Sequence, residues 1–539
     1  MFYFWTVNVS RLTSKPEFYY GLFLLLLFPA MLINLGEHHL FIHTDESRRA
    51  LVALEMILSG NYFAPTLNGD FYYNKPPLYN WIIALSFKLF GSYSAFALRF
   101  PVVVAVFLYG WLIKRFVQLE LGKPIGWLVA IATITSGRIL FYDSFLGLID
   151  LAFSLIIFVN FMLFYYLGEK KQYFKLFVWT YFLCAIAYLM KGLPPLVFQF
   201  FTLIAWFLFK RDWKLLFHKY HFIGILFFIF PVGLYYFIYD STNPGSFEKI
   251  ISTLWSESSK RTVTDHGIGE SLLTMLNFPL ENLYHFAPWT IFVIALFKKS
   301  VLKELWANKF TRFCILVFAL NIPVYWTSPG VHPRYLFMFV PLVFSVFIFA
   351  VKLPQNLNLE NNLRWFVGVI LVLVCFAPAG LYIFADTYGI ENLELKMAIC
   401  TFVLIGLAAL YFQNFKINWL VLGCALLVLR ISMNFTLLPN RDPRGRSLEK
   451  EAMEVVELTR NEKLYILQKN WVHNGTSFII ERERNEILRQ VDEPSDSTAY
   501  YLLLDRRYDP EKYESIKKIQ VVSADNMIHL VKLKTQNHE

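Results

Sequence analysis

Residues 41–60 read Phe-Ile-His-Thr-Asp-Glu-Ser-Arg-Arg-Ala-Leu-Val-Ala-Leu-Glu-Met-Ile-Leu-Ser-Gly, and the chain turns again at Lys75-Pro76-Pro77. Leu51, Leu54, Ile57 and Leu58 recur at near-helical spacing behind a charged head, which predicts an amphipathic helix lying in a membrane interface. Thr44 or Asp45 caps its start and Gly60 its end. Lys75 to Phe90 predicts a second interfacial helix with prolines at its start. What surrounds this platform is lipid-soluble. Over 539 residues, 56% hydrophobic, 18% aromatic and only 17% charged side chains exclude a single water-soluble core.

Apolar runs of about 18 to 20 residues, enough to cross a hydrocarbon layer of ~30 Å, recur from Phe18 to Leu438. About thirteen spans are expected, near 18–35, 95–113, 124–141, 148–168, 176–190, 194–209, 220–239, 286–297, 311–327, 334–351, 365–385, 396–413 and 419–438. From Pro439 onward the chain is charged, with β-like runs at Lys463 to Gln468, Tyr500 to Leu504 and Met527 to Leu533. The expected class is therefore an α-helical polytopic membrane protein, its domain at 1–438 followed by a small α/β domain at 439–539. The first apolar run lacks a small-residue cleavage site and reads as an uncleaved span. All five cysteines lie inside apolar runs, so no disulfide framework is indicated.

The net charge of +10 is distributed as topology. Lys114 and Arg115, Lys170 to Lys175, Lys210 to Lys219, Lys298 to Lys309, Lys352 and Lys416 mark alternate loops, which face the cytoplasm. That pattern argues against nucleic-acid binding and for a cytoplasmic (inner) membrane. The N-terminus then lies inside, and the C-terminal domain outside with the loops 36–94 and 240–285.

Cations nevertheless recur on the outer side, where the positive-inside rule disfavours them. These are Lys75, Arg138, Lys191, His332 and Arg334, the last two within His332-Pro333-Arg334-Tyr335. Singly, each is a side chain snorkelling to headgroups. Together, beside the carboxylates Asp45, Glu46, Asp143 and Asp150, they predict an anion site with a base next to it, and a membrane-bound phosphate fits. A phosphate leaving as an anion needs cations. A hydroxyl acceptor needs a general base, for which Asp45 is the candidate. An acid pair heading a helix is, on the plainer reading, a cap that favours the helix dipole by ~0.3–1 kcal/mol.

Thr44-Asp45-Glu46-Ser47-Arg48, Leu67-Asn68-Gly69 and Asn74-Lys75-Pro76-Pro77-Leu78, in this order and spacing, resemble the polyprenyl-phosphate-sugar glycosyltransferases of GT-C fold. The likeness is to lipid A aminoarabinose transferases and, more distantly, to protein O-mannosyltransferases. It covers most of the membrane part up to Arg334-Tyr335. The resemblance implies a monosaccharide moved from a polyprenyl-phosphate donor to a lipid A-type glycolipid or a protein. It also implies Asp45 as catalytic acid of the first outer loop, Lys75 and Arg334 as phosphate contacts, and Asp150 or Asp143 as an acid heading the fourth span. Some relatives depend on a divalent metal. Here Asn74 stands where they often carry an acid, and an amide anchors a metal poorly. His43, Asp45 and His332 remain as available ligands, and no metal site is assigned. The rival class is a secondary transporter, but transporters place ionisable residues near mid-membrane and repeat their halves. Here Arg430 is the main mid-depth charge, and no internal repeat is visible.

Overall fold

The computed structural model describes residues 15–37, 44–259, 263–328, 330–384, 389–413, 417–440, 443–468, 472–520 and 527–534. Its contacts form two compact units. The first comprises Met1–Leu35, Val102–Leu234 and Ser252–Pro439, and the second Gly36–Pro101, Tyr235–Ile251 and Asn440–Glu539. The division after Pro439 falls where the sequence turns from apolar to charged. The outer loop 36–94, which the sequence reading assigns to the membrane domain, instead packs with the C-terminal chain.

The first unit is helical. Among the described residues, seven helices are long and apolar enough to cross a membrane, and nine if each of two bent pairs is one span. The chain is a multi-pass membrane protein. Lys219–Thr242 exposes most of its apolar surface, including Leu226, Phe230 and Phe237, as a helix facing lipid does. Asn418–Asn440 is mostly buried and central. Between the interior helices, polar side chains pair with one another: Asn160 donates to Gln199 at 2.8 Å and Asn321 to Thr202 at 3.3 Å. Such interhelical bonds satisfy groups that lipid cannot. The cysteines are buried and free.

The expected span 124–141 is broken. Lys123–Ile134 and the following segment Gly137–Phe145 meet at 46°. Thr133 and Thr135 turn their hydroxyls back onto the carbonyls of Val129 and Ile131, and Ser136 onto that of Thr133. Hydroxyls bonded back in this way bend helices. Gly137 N–H then leaves the ladder and donates to the Ala287 carbonyl at 2.8 Å. A second expected span, 286–297, is a 3-10 helix at Trp289–Phe297.

The second unit joins outer-loop chain to a sheet. The Thr44–Ser59 helix packs against Leu78–Phe90 and Asn474–Arg484. Residues Ala50 to Leu54 and Met56 are fully covered by protein, so the helix read as interfacial is a core element. Thr66–Leu67 and Asp70–Phe71 form a hairpin whose two turn residues, Asn68 and Gly69, have φ of 53° and 78°. An Asn-Gly pair is what such a turn requires. The C-terminal chain builds a five-stranded sheet in the order Gln490–Val491, Leu464–Leu467, Tyr500–Leu504, Met527–Leu533, Tyr513–Gln520. The first two pairings are parallel and the last two antiparallel. Leu467, Tyr501, Leu503, Tyr513 and Val531 fill one side of it.

Candidate functional site

In the first unit, the Asp150–Glu169 and Tyr173–Lys191 helices form a tight hairpin, so the first residue of one meets the last residue of the other. Lys191 Nζ lies 2.5 Å from Asp150 Oδ1. A carboxylate at a helix N-terminus and an ammonium at a C-terminus each suit their own dipole, which explains why the sequence holds them there. The 3-10 turn Pro333–Leu336 brings Arg334 Nε to 3.3 Å from Asp150 Oδ2. All three side chains are at most 10% exposed. The Lys191 ammonium also lies over the rings of Tyr335, at 4.3 Å, and Phe153, at 4.8 Å. His332 is exposed, with its ring against Tyr335.

A second pair lies beside the first. Arg138 Nε is 2.6 Å from Asp143 Oδ2, and its guanidinium covers the Tyr142 ring at 3.9 Å. Asp143 is within electrostatic reach of Asp150 and Arg334. Arg138 meets Asp143, and Lys191 and Arg334 both meet the Asp150 carboxylate, so three cations are gathered in one largely buried cluster. The arrangement is suited to an anion such as a phosphate, which Lys binds as a point charge and Arg through its planar fork.

In the second unit, the adjacent acids Asp45 and Glu46 have different surroundings. Glu46 is fully buried and bidentate with Arg99, at 2.7 Å from Nε and 3.2 Å from Nη2. The Asp45 carboxylate is 42% exposed and meets Arg48 at 3.2 Å. Lys75 is half-buried in the turn that leads into the Leu78–Phe90 helix. Of the residues named from sequence, Arg138, Asp143, Asp150, Lys191, Arg334 and Tyr335 thus gather in one unit, with Asp45, Glu46 and Lys75 in the other.

Sequence reasoning missed Arg99, whose only signal is a cation at the head of an apolar run. It noted Arg430 without giving it a role. Arg430 donates to the Leu140 carbonyl and covers the Phe145 ring at 4.7 Å, bracing the segment that carries Arg138 and Asp143. Among the described residues no group of three or more His, Cys, Asp or Glu side chains forms a metal site, and His43 lies outside those residues.

Comparison with known proteins bears on the fold. Residues 74–236 match the family of dolichyl-phosphate-mannose-protein mannosyltransferases. The undecaprenyl phosphate-alpha-4-amino-4-deoxy-L-arabinose arabinosyl transferase 1 of Proteus mirabilis is 32% identical over 177 residues, 30% of this chain and 31% of its own. Its counterpart in Edwardsiella ictaluri is 28% identical, over 32% of each chain. The alignments thus span about a third of the length of these curated relatives. The crystal structure of ArnT from Cupriavidus metallidurans bound to undecaprenyl phosphate superposes with a TM-score of 0.67 at 15% identity, covering 95% of this chain and 97% of that one. The chain thus shares the fold of that ArnT structure, and residues 74–236 carry the sequence pattern of the matching family.

Proposed function

We propose that the chain is a glycosyltransferase that moves a monosaccharide from a polyprenyl-phosphate donor to an acceptor at the outer face of the cytoplasmic membrane. The observation that carries this reading is the buried Asp150–Lys191–Arg334 cluster, in which two cations share one carboxylate. In the reaction the acceptor oxygen attacks the anomeric carbon as the bond from that carbon to the phosphate oxygen breaks. The electron pair leaves with the lipid phosphate, and Lys191 and Arg334 stabilise the negative charge that develops there. Arg138, His332, Tyr335 and Lys75 are further donor contacts, Lys75 on the strength of the resemblance. Asp143 balances Arg138.

An acceptor hydroxyl loses a proton, and Asp45 is retained as the base on its own chemistry, being an accessible carboxylate at a helix start. Glu46, tied to Arg99, holds that helix start in place. The acceptor class is a lipid A-type glycolipid, as the names of the relatives suggest. A protein hydroxyl is the second reading, favoured by the name of the matching family. The resident topology is thirteen crossings with the N-terminus inside. This topology needs crossings beyond the nine that length and composition give, and the shorter apolar elements Pro16–Leu32, Pro194–Lys210, Val340–Lys352 and Trp289–Phe297 are the candidates, each completed by flanking chain.

Kinetics with purified protein and a short-chain donor test the anion site. Lys191→Ala and Arg334→Ala each remove a charge-assisted contact worth about 1.5–3 kcal/mol, and donor kcat/KM should fall roughly ten- to a hundred-fold. Arg334→Lys should recover only part of the loss, because the fork is gone. Unchanged donor kinetics in both alanine variants would place the phosphate elsewhere. Mass spectrometry of lipid A and of glycoproteins from a deletion strain decides the acceptor, since one of them loses a single sugar mass.

A further inference from the structure

The Lys219–Thr242 helix, whose exposed apolar side faces lipid, is followed by Asn243-Pro244-Gly245-Ser246, and a new helix runs over Phe247–Ser259. Pro244 cannot continue a helix. Gly245 takes a left-handed conformation at φ 76°, and its N–H donates to Asp240 Oδ1 at 3.2 Å. The second helix therefore begins where the crossing stops, at the membrane surface.

At about 100° per residue its side chains fall into three sectors. One meets protein: Ile250 and Leu254 are buried, and the Lys249 ammonium lies over the Tyr73 ring at 4.8 Å. Asn243, just before the helix, fixes the same side by donating to the Tyr73 hydroxyl at 2.9 Å. That contact ties the helix to the turn that carries Lys75. The next sector is Phe247, Ile251 and Trp255, one turn apart and 59%, 51% and 70% exposed. The third is polar and exposed, made of Glu248, Ser252 and Ser256. The apolar stripe thus lies between a face held by protein and a face open to water.

We propose that the Phe247–Ser259 helix lies along the outer leaflet with Phe247, Ile251 and Trp255 immersed in lipid, so that the loop 240–285 rests on the bilayer. Large apolar side chains aligned and exposed on one stripe mark an interaction surface. Its position along the chain names the occupant. The exposed Leu226, Phe230 and Phe237 of the preceding crossing lead into the stripe, so one lipid-facing surface continues through the turn. Its composition agrees, since an aromatic and aliphatic face beside a polar one is that of a helix held in an interface, where tryptophan sits at headgroup level.

The loop repeats the feature further on. In the Val263–His285 helix, Leu273, Leu276 and Leu280 share one side and are exposed as well. The inference rests on the proposed topology only in naming the leaflet, and it stands whether or not the chain transfers a sugar.

Nitroxide labels on single cysteines test it, in full-length protein reconstituted into vesicles of phosphatidylethanolamine and phosphatidylglycerol. The substituted positions are exposed and the native cysteines buried, so folding should survive each exchange. Oxygen concentrates in lipid and a nickel chelate stays in water. Collisions with oxygen should dominate at Phe247→Cys, Ile251→Cys and Trp255→Cys, and collisions with nickel at Ser252→Cys and Ser256→Cys. The ratio should rise and fall with the helical period of roughly 3.6 residues. In intact cells, Ser252→Cys and Ser256→Cys should react with a membrane-impermeant thiol reagent, which identifies the leaflet. Nickel-dominated collisions at all five positions would put the stripe in water and overturn the proposal. So would labels at 247, 251 and 255 that are immobilised and shielded from both reagents, which would assign the face to a second copy or another protein. Reaction of the two serine positions only after permeabilisation would move the helix to the inner leaflet and equally overturn it.

Discussion

Glu46 and Arg99 form an ion pair that is fully buried at both ends, and its two hydrogen bonds fix the first turn of the Thr44–Ser59 helix. Removing one partner of such a pair strands a buried charge at a cost of about 3–5 kcal/mol. Glu46→Ala and Arg99→Ala should each lower the thermal midpoint of the detergent-solubilised protein sharply, and activity should fall with the folded fraction. Asp45→Asn should leave the midpoint almost unchanged: Asp45 lies within the first turn of the helix rather than at its cap, its side chain is half exposed, and the dipole term lost is only ~0.3–1 kcal/mol. Its loss should appear in turnover. Equal heat sensitivity in all three variants would remove the distinction between the two acids. From sequence the acids were visible and their division of labour was not. Arg99 stands fifty-three residues away from Glu46, and local spacing says nothing about such a pair.

At the scale of elements, hydropathy and helical period located most helices, because lipid and core select for the same apolar length. They failed where the backbone leaves the ladder. Thr135, Ser136 and Gly137 are mild enough to pass as span interior, yet the back-bonded hydroxyls of Thr135 and Ser136 open the bend that presents Arg138 and Asp143. Strands of apolar residues were legible at Leu464–Leu467, Tyr500–Leu504 and Met527–Leu533. Tyr513–Gln520 was not, since its Glu514, Lys517 and Lys518 and a register shift at Ser515/Lys517 erase the alternation. Close packing at the start of the broken span makes its own prediction. A Cβ on Gly126 would lie 2.8 Å from the Gln118 backbone nitrogen and 2.9 Å from its Cα, with no flexible side chain to yield. Gly126→Ala should cost about 1–3 kcal/mol, read as a lower thermal midpoint. Gly21→Ala, where a Cβ meets nothing within 4 Å, serves as the matched control and should be near neutral.

For the whole molecule, the placement of basic loops is a statement about which side of the membrane each segment occupies, and it can be checked without reference to catalysis. If the thirteen crossings of the proposed topology hold, Asp70 and the C-terminal segment are outside and Lys303 is inside. Asp70 and Lys303 are both exposed, so a cysteine at either position is open to reagent. The native cysteines are all buried and should contribute little background. In intact cells or spheroplasts, Asp70→Cys should react with a membrane-impermeant thiol reagent, and Lys303→Cys should react only after permeabilisation. A reporter fused after residue 539 should be active in its extracytoplasmic form. An even number of crossings would leave Asp70 outside but move the C-terminal segment inside. The second unit, which combines outer-loop chain with that segment, could not then form. The pairing of Asn68 with Ser477 therefore already requires both segments on one side. Labelling of Asp70→Cys together with a cytoplasmic reporter would contradict the fold itself as well as the topology.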